Sequence, residues 1–186
     1  GAVQFQQACK RAEIQPIIGM MVPVAAPLAD TFLEKEVAGQ MVLLAADPTG
    51  YQSLCRLSSA IQSSSACTQL LRQGISWDWL KENHAGLIAL DGGRMGWAER
   101  YLRAGNRQAA VRYASRLGGL FGEKGYLSLE LHVPADTAVA RELVTIGERF
   151  GLAAVAVQPI YCLEPADTPQ LRLLAAIDHN CRLEEV

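Results

Sequence analysis

Five apolar runs of strand length, separated by segments of helical period, constrain this chain more than any other feature. The candidate strands are Pro16–Val24, Met41–Ala46, Gly86–Leu90, Leu127–Val133 and Ala153–Val157. They are nearly continuous in Val, Ile, Leu and Ala, the pattern of strands covered on both faces. The helices between them have readable starts. Asp47 followed by Pro48 supplies a cap and first turn for a helix reaching about Gln62. Ser76 can cap Trp77–Asn83, and Asn106 can cap Arg107–Leu120. Asp136 or Thr137 can open a helix to Phe150, stopped by Gly151, and Thr168-Pro169 can open the last, to about Asn180. The serine-rich stretch from Ser58 to Ser65 reads as a frayed helix end. Strand, helix, strand at these lengths predicts a parallel sheet with right-handed crossovers, and both a barrel and an open doubly wound sheet fit it.

Bulk properties narrow the class. A chain of 186 residues is the size of one domain, and half its residues are hydrophobic, which excludes a disordered chain. Seventeen basic residues against nineteen acidic ones leave a net charge of −2, which demands neither nucleic acid nor an anionic membrane as a partner. No apolar run reaches the roughly 18 to 20 residues of a membrane span, and the N-terminal stretch is no signal peptide. The five cysteines (Cys9, Cys55, Cys67, Cys162, Cys181) include no CxxC, a pattern that predicts reduced thiols and a cytoplasmic protein.

Four short blocks stand in a fixed order: Ile14-Gln15-Pro16-Ile17-Ile18-Gly19; Met41-Val42-Leu43-Leu44-Ala45 leading into Thr49–Leu57; Gly86-Leu87-Ile88-Ala89-Leu90-Asp91-Gly92-Gly93-Arg94-Met95-Gly96; and Leu163-Glu164-Pro165-Ala166-Asp167. This order resembles the PHP domain at the N-terminus of bacterial DNA polymerase III alpha subunits. The resemblance runs from Gly1 to about Val186. It implies a distorted seven-stranded β/α barrel of which about five parallel strands are present, 1–186 forming a single partial PHP-like domain. The first barrel strands and first histidine motif would lie upstream of Gly1. A barrel lacking its first strands would leave open edges and an uncovered apolar interior. The expectation is therefore a fragment of a longer chain, or a chain that pairs with another copy.

The resemblance also implies where metal ions would sit, and there the sequence departs from the family. PHP phosphoesterases hold two or three metal ions with histidines, carboxylates and a cysteine at the strand ends. Such ions acidify a bound water and clamp phosphoryl oxygens. Where the family has glutamate after the Pro-Ile-Ile-Gly block, this chain has Met21; where it commonly has histidine before the next strand, Gln40. The family's Ser-Gly-Cys turn reads Asp91-Gly92-Gly93, with Gly93 in place of the cysteine. The late Asn-Asp-Val-His turn reads Gln158-Pro159-Ile160-Tyr161, with Pro159 for the aspartate and Tyr161 for the histidine. A thioether, an amide, a glycine and a proline are poor ligands for hard or borderline cations. The expectation is a degenerate site with no metal, resembling the branch whose proofreading is done by a separate exonuclease.

Several other residues merit weighing. Glu130 and His132, two apart on a candidate strand, share a face and with Asp91 could keep one weak ion, against the plainer reading of a hydrogen-bonded polar pair. His84 and His179 sit near helix ends, where the helix dipole accounts for them. Gly92-x-x-x-Gly96 lacks the Lys-Ser/Thr of a phosphate loop, and a tight strand-to-helix turn explains it. Arg94, Arg100, Arg103, Arg107, Arg112 and Arg116 fall in one helical region; Arg112 and Arg116 share a face that could track DNA or an acidic partner, against a solvated face. Trp77 and Trp79 would mark a docking site if both were exposed.

Together these features predict a PHP-like scaffold domain without phosphoesterase activity. By resemblance the parent is a DNA-directed polymerase working with magnesium in a separate palm domain, the proofreading exonuclease a candidate partner, and DNA reached through the parent chain. The rivals are a stand-alone metal-dependent phosphoesterase and a diverged PHP-like module that binds a partner or ligand.

Overall fold

The computed structural model describes residues 2–27 and 38–185, the His179 side chain excepted. A helix absent from the sequence reading, α1 (Ala2–Arg11), comes first. Strands β1 (Gly19–Val24) and β2 (Gly39–Ala45) follow, then helices α2 (Pro48–Ser63), α3 (Cys67–Gln73) and α4 (Trp77–Glu82). Strand β3 (Leu87–Asp91) leads through a 3-10 turn into α5 (Trp97–Arg103) and α6 (Arg107–Phe121). The chain ends with β4 (Gly125–Leu129), α7 (Asp136–Arg149), β5 (Ala153–Ala156) and α8 (Thr168–His179). The caps read from sequence are in place. Asp47 Oδ1 accepts from Gly50 N at 2.8 Å, Ser76 Oγ from Trp79 N at 3.2 Å and Asn106 Oδ1 from Ala109 N at 3.1 Å.

The sheet order is β1-β2-β3-β4-β5. Strands β3, β4 and β5 are parallel, but β1 pairs antiparallel with β2 and β2 antiparallel with β3. This corrects the expectation of five parallel strands. The reason lies in the route between β2 and β3. Helix α2 leaves the sheet at the Ala45 end. The chain touches the opposite end at Ile75, whose N–H donates to Pro23 O at 2.8 Å and whose carbonyl accepts from Ala25 N. Helix α4 then brings it back, so β3 starts where β2 stopped. A single helical traverse would have made the pair parallel; two make it antiparallel. Among the described residues β5 and β1 do not pair, so the sheet is open and the barrel is not closed.

Helices α2, α5, α6 and α7 bury one face of the sheet. Val22, Val24, Met41, Leu43, Leu87, Ala89 and Leu127 point into that layer with Leu57, Tyr101, Tyr113, Leu117, Leu143 and Ile146. Each fully buried large aliphatic side chain there is worth about 1.5–3 kcal/mol. The other face, carrying Met21, Val42, Leu44, Ile88, Leu90 and Tyr126 by the strand register, is only partly covered, and Met21 is 57% exposed.

Candidate functional site

Cross-strand partners share a face, and successive residues alternate. By that rule Met21, Val42 and Leu90 lie on the open face, as does Gln40 beside Val42. Tyr126, in register with Leu90, lies on the same side. Asp91, paired with Met41, lies on the helix-covered face. Among the described residues Asp91, Glu130 and His132 do not converge as a metal-holding trio. Glu130 and His132 do meet, with Glu130 Oε2 3.3 Å from His132 Nε2, although β4 ends at Leu129 and both residues lie just beyond it.

The turn after β3 is built around these two carboxyl groups. Gly92 N donates to the Gln40 carbonyl at 3.1 Å, tying the turn to β2. Gly93 adopts a left-handed conformation (φ 56°), and a side chain there would run into the Glu130 carboxylate. Arg94 N approaches Glu130 Oε1 at 3.4 Å. A side chain at Gly96 would collide with Asp91 Oδ1. Gly93 and Gly96 are therefore packed against the protein's own carboxyl groups, and Gly92 against the Gln40 backbone.

Below the turn lies a network that sequence reading missed. Arg103 Nη2 reaches Glu99 Oε1 at 2.6 Å and Asp136 Oδ1 at 2.7 Å, cross-linking α5 to the start of α7. The other Asp136 oxygen accepts from His132 N at 2.9 Å and Val133 N at 3.0 Å. Arg94 adds a longer contact to Asp136 at 3.9 Å. Arg103 above all, helped by those two amides, holds the Asp136 carboxyl well below the usual carboxylate range. Asp136 and Glu99 together raise the Arg103 guanidinium above its ordinary value.

Asp91 lives in the opposite environment. It is completely buried, and neither carboxyl oxygen closes a hydrogen bond of full geometry. Burial pushes its pKa up to about 7; the facing Tyr113 hydroxyl pulls it back, and the Glu99 carboxylate adds to the rise.

The arginine row is divided between the 3-10 turn after β3, which holds Arg94, and helices α5 and α6. Arg100 stacks on Trp97 at 4.5 Å, and Arg107 Nε pairs with Glu142 at 2.6 Å. Arg116 lies 4.9 Å over the Trp77 ring and donates to Pro27 O at 2.9 Å. Arg112 is half-buried. Trp77 is buried, donates to Ala25 O at 3.1 Å and meets Tyr113 edge-on, while Trp79 is half-buried against the core. The two tryptophans therefore do not form an exposed pair. His84 Nδ1 lies 2.7 Å from Lys81 O.

The positions matching family ligands carry few metal donors. Met21 presents a thioether on the open face and Gln40 a neutral amide, while the Gln40 backbone carbonyl accepts from Gly92 N. Gly93 has no donor side chain. Pro159 and Tyr161 lie in an exposed segment beyond β5, Tyr161 at 74% exposure. Among the described residues no group of three His, Cys, Asp or Glu side chains converges on one point. This donor set does not fit a divalent cluster.

A parallel β3-β4-β5 unit, an antiparallel β1-β2 flank and a carboxyl-lined turn at the β3 end define the architecture, and a family model described as PHP domain matches residues 1–132. The chain belongs to the PHP domain family. DNA polymerase III subunit alpha of Bacillus subtilis (strain 168) is 30% identical over 185 residues, covering all of this chain and 16% of its own length. The subunit of the same name from Caulobacter vibrioides is 30% identical over 166 residues, 89% of this chain and 14% of the relative. That of Escherichia coli (strain K12) is 30% identical over 187 residues, all of this chain and 15% of the relative. The chain thus spans only 14 to 16% of the length of these relatives. No helix among the described residues is long and apolar enough to cross a membrane.

Proposed function

We propose that these residues form a non-catalytic scaffold module of a DNA polymerase III alpha subunit. The observation that carries this reading is the replacement of metal ligands at Met21, Gln40, Gly93, Pro159 and Tyr161, in a chain similar along its whole length to such subunits. The ends of β3 and β4 are held by Gly92–Gln40, Arg94–Glu130 and Arg103–Asp136 contacts, all made by the protein's own groups.

In this reading the parent chain extends DNA by phosphoryl transfer, with magnesium held by carboxylates of another domain. This module would stabilise the polymerase's front end, and the proofreading exonuclease is its candidate partner. Its partly covered apolar sheet face supports a role against further protein, since such faces mark interaction sites. The test is the size of the native product, by immunoblot of source cells with an antibody to this domain. A band many times heavier than 20.1 kDa is expected. A band only slightly heavier would overturn the polymerase reading and leave a free-standing PHP-like protein.

A further inference from the structure

We propose that the flank formed by α7 and β5 is a docking groove for helix α8 of a second copy of this chain, so that two copies exchange α8 in a reciprocal dimer. The helix layer is one helix short at this flank. Ala154 and Ala156 pair with Leu127 and Leu129 and so face the helices, yet both alanines are exposed. A right-handed crossover out of β5 would set the following helix over them, beside α7. The space is instead an apolar groove lined by Leu129, Leu131, Ala140 and Val144, with Arg141 its charged residue among those described.

Helix α8 is the matching piece. Leu173, Leu174 and Ile177 are each more than half exposed and stand within one turn of one another, so they form a single apolar ridge. The helix packs chiefly against the 3-10 turns on either side of it, Pro165–Asp167 and Leu183–Glu185. Its link to β5, residues 158–163, carries neither helix nor strand and exposes Ile160, Tyr161 and Leu163. A link of this kind lets an element leave its own domain for a neighbour's, a low-cost route to a dimer. Charge selects the same occupant. Arg172 donates to Leu183 O at 3.2 Å within its own chain, whereas Asp178 is exposed one turn beyond Leu174. The ridge thus brings an acid to a groove whose charged residue is a cation. Reciprocal docking covers both ridges and both grooves about a two-fold axis. The inference concerns this chain alone and does not rest on the polymerase reading.

The test is sedimentation equilibrium of this chain over a range of concentrations. The wild type is expected to form a dimer of twice 20.1 kDa. Val144→Glu, which blocks the groove, and Leu174→Glu, which blocks the ridge, should each be monomeric. Mixed together they should form a heterodimer, since one keeps an intact α8 and the other an intact groove. Asp178→Arg should weaken association about tenfold, and Arg141→Asp in the same chain should restore most of it. A wild type that stays monomeric at its highest soluble concentration would overturn the proposal, and that reading needs no variant to fold. A monomer whose α8 folds back onto its own α7 gives that same result. Dimers that persist in either blocked variant, or blocked variants that stay apart when mixed, would overturn it as well.

Discussion

The backbone of Gly93 lies directly against the carboxylate of Glu130, in the space where a side chain would have to go. The glycine is also left-handed, at φ 56°. Two separate costs therefore fall on Gly93→Ala: about 1 kcal/mol for the backbone conformation and a similar amount for displacing Glu130. Urea unfolding should show a loss of about 2 kcal/mol. In a Glu130→Ala background the loss should shrink to the backbone share, giving a coupling of about 1 kcal/mol. Additive effects would mean that Glu130 does not occupy that space.

Among the described residues Arg103 is the cation that Glu99 and Asp136 share, and both acids are nearly fully buried. Removing it strands two acids. Breaking a buried pair costs about 3–5 kcal/mol, but the guanidinium is 35% exposed, so water screens part of this. Arg103→Ala should lose about 2 kcal/mol near neutral pH. Arg103→Lys should fall between, because one ammonium cannot reproduce the fork that reaches both carboxylates. Chemical denaturation curves of the three proteins settle the order.

The same pair fixes an acid-side behaviour. Asp136 is held below the ordinary carboxylate range by Arg103, so its contribution is present above the unfolded value of 3.8 and is lost as pH falls below it. Stability of the wild type should drop between about pH 4 and pH 2, and Arg103→Ala should lose less over that interval. A variant as acid-sensitive as the wild type would contradict the assignment.

Trp77 is a structural residue in this account, with its indole N–H on Ala25 O and its ring edge-on to Tyr113 at 5.7 Å. Trp77→Phe should cost about 1–2 kcal/mol through the unsatisfied carbonyl and the altered packing. Arg116→Ala, which removes an exposed stacking partner, should cost under about 1 kcal/mol. Intrinsic fluorescence during unfolding reports both. Native stability in Trp77→Phe would mean that the ring is not part of the core.

Much of the fold was legible because its cues are local. Strand runs appear as continuous apolar stretches, and Asp47, Ser76 and Asn106 each cap the helix that follows. Strand direction was not legible, because it depends on how many times the chain crosses the sheet between β2 and β3. That number is set by the contact of Ile75 with Pro23 and Ala25. The candidate site divides in the same way. Glu99 and Arg103 stand four apart, a spacing that a helix turns into a pair. Asp136 lies 33 residues further on, with nothing in the sequence to bring it back. Asp91 appeared beside Glu130 in the ligand trio, yet its register with Met41 turns it to the other face of the sheet.

The most direct test of the central claim is metal content and phosphodiester hydrolysis measured together. The purified chain would be incubated with zinc or manganese, dialysed, and assayed both by elemental analysis and with a chromogenic phosphodiester. The account predicts no stoichiometric metal and no metal-dependent release. Stoichiometric metal with release abolished by a chelator would contradict it and restore the phosphoesterase reading.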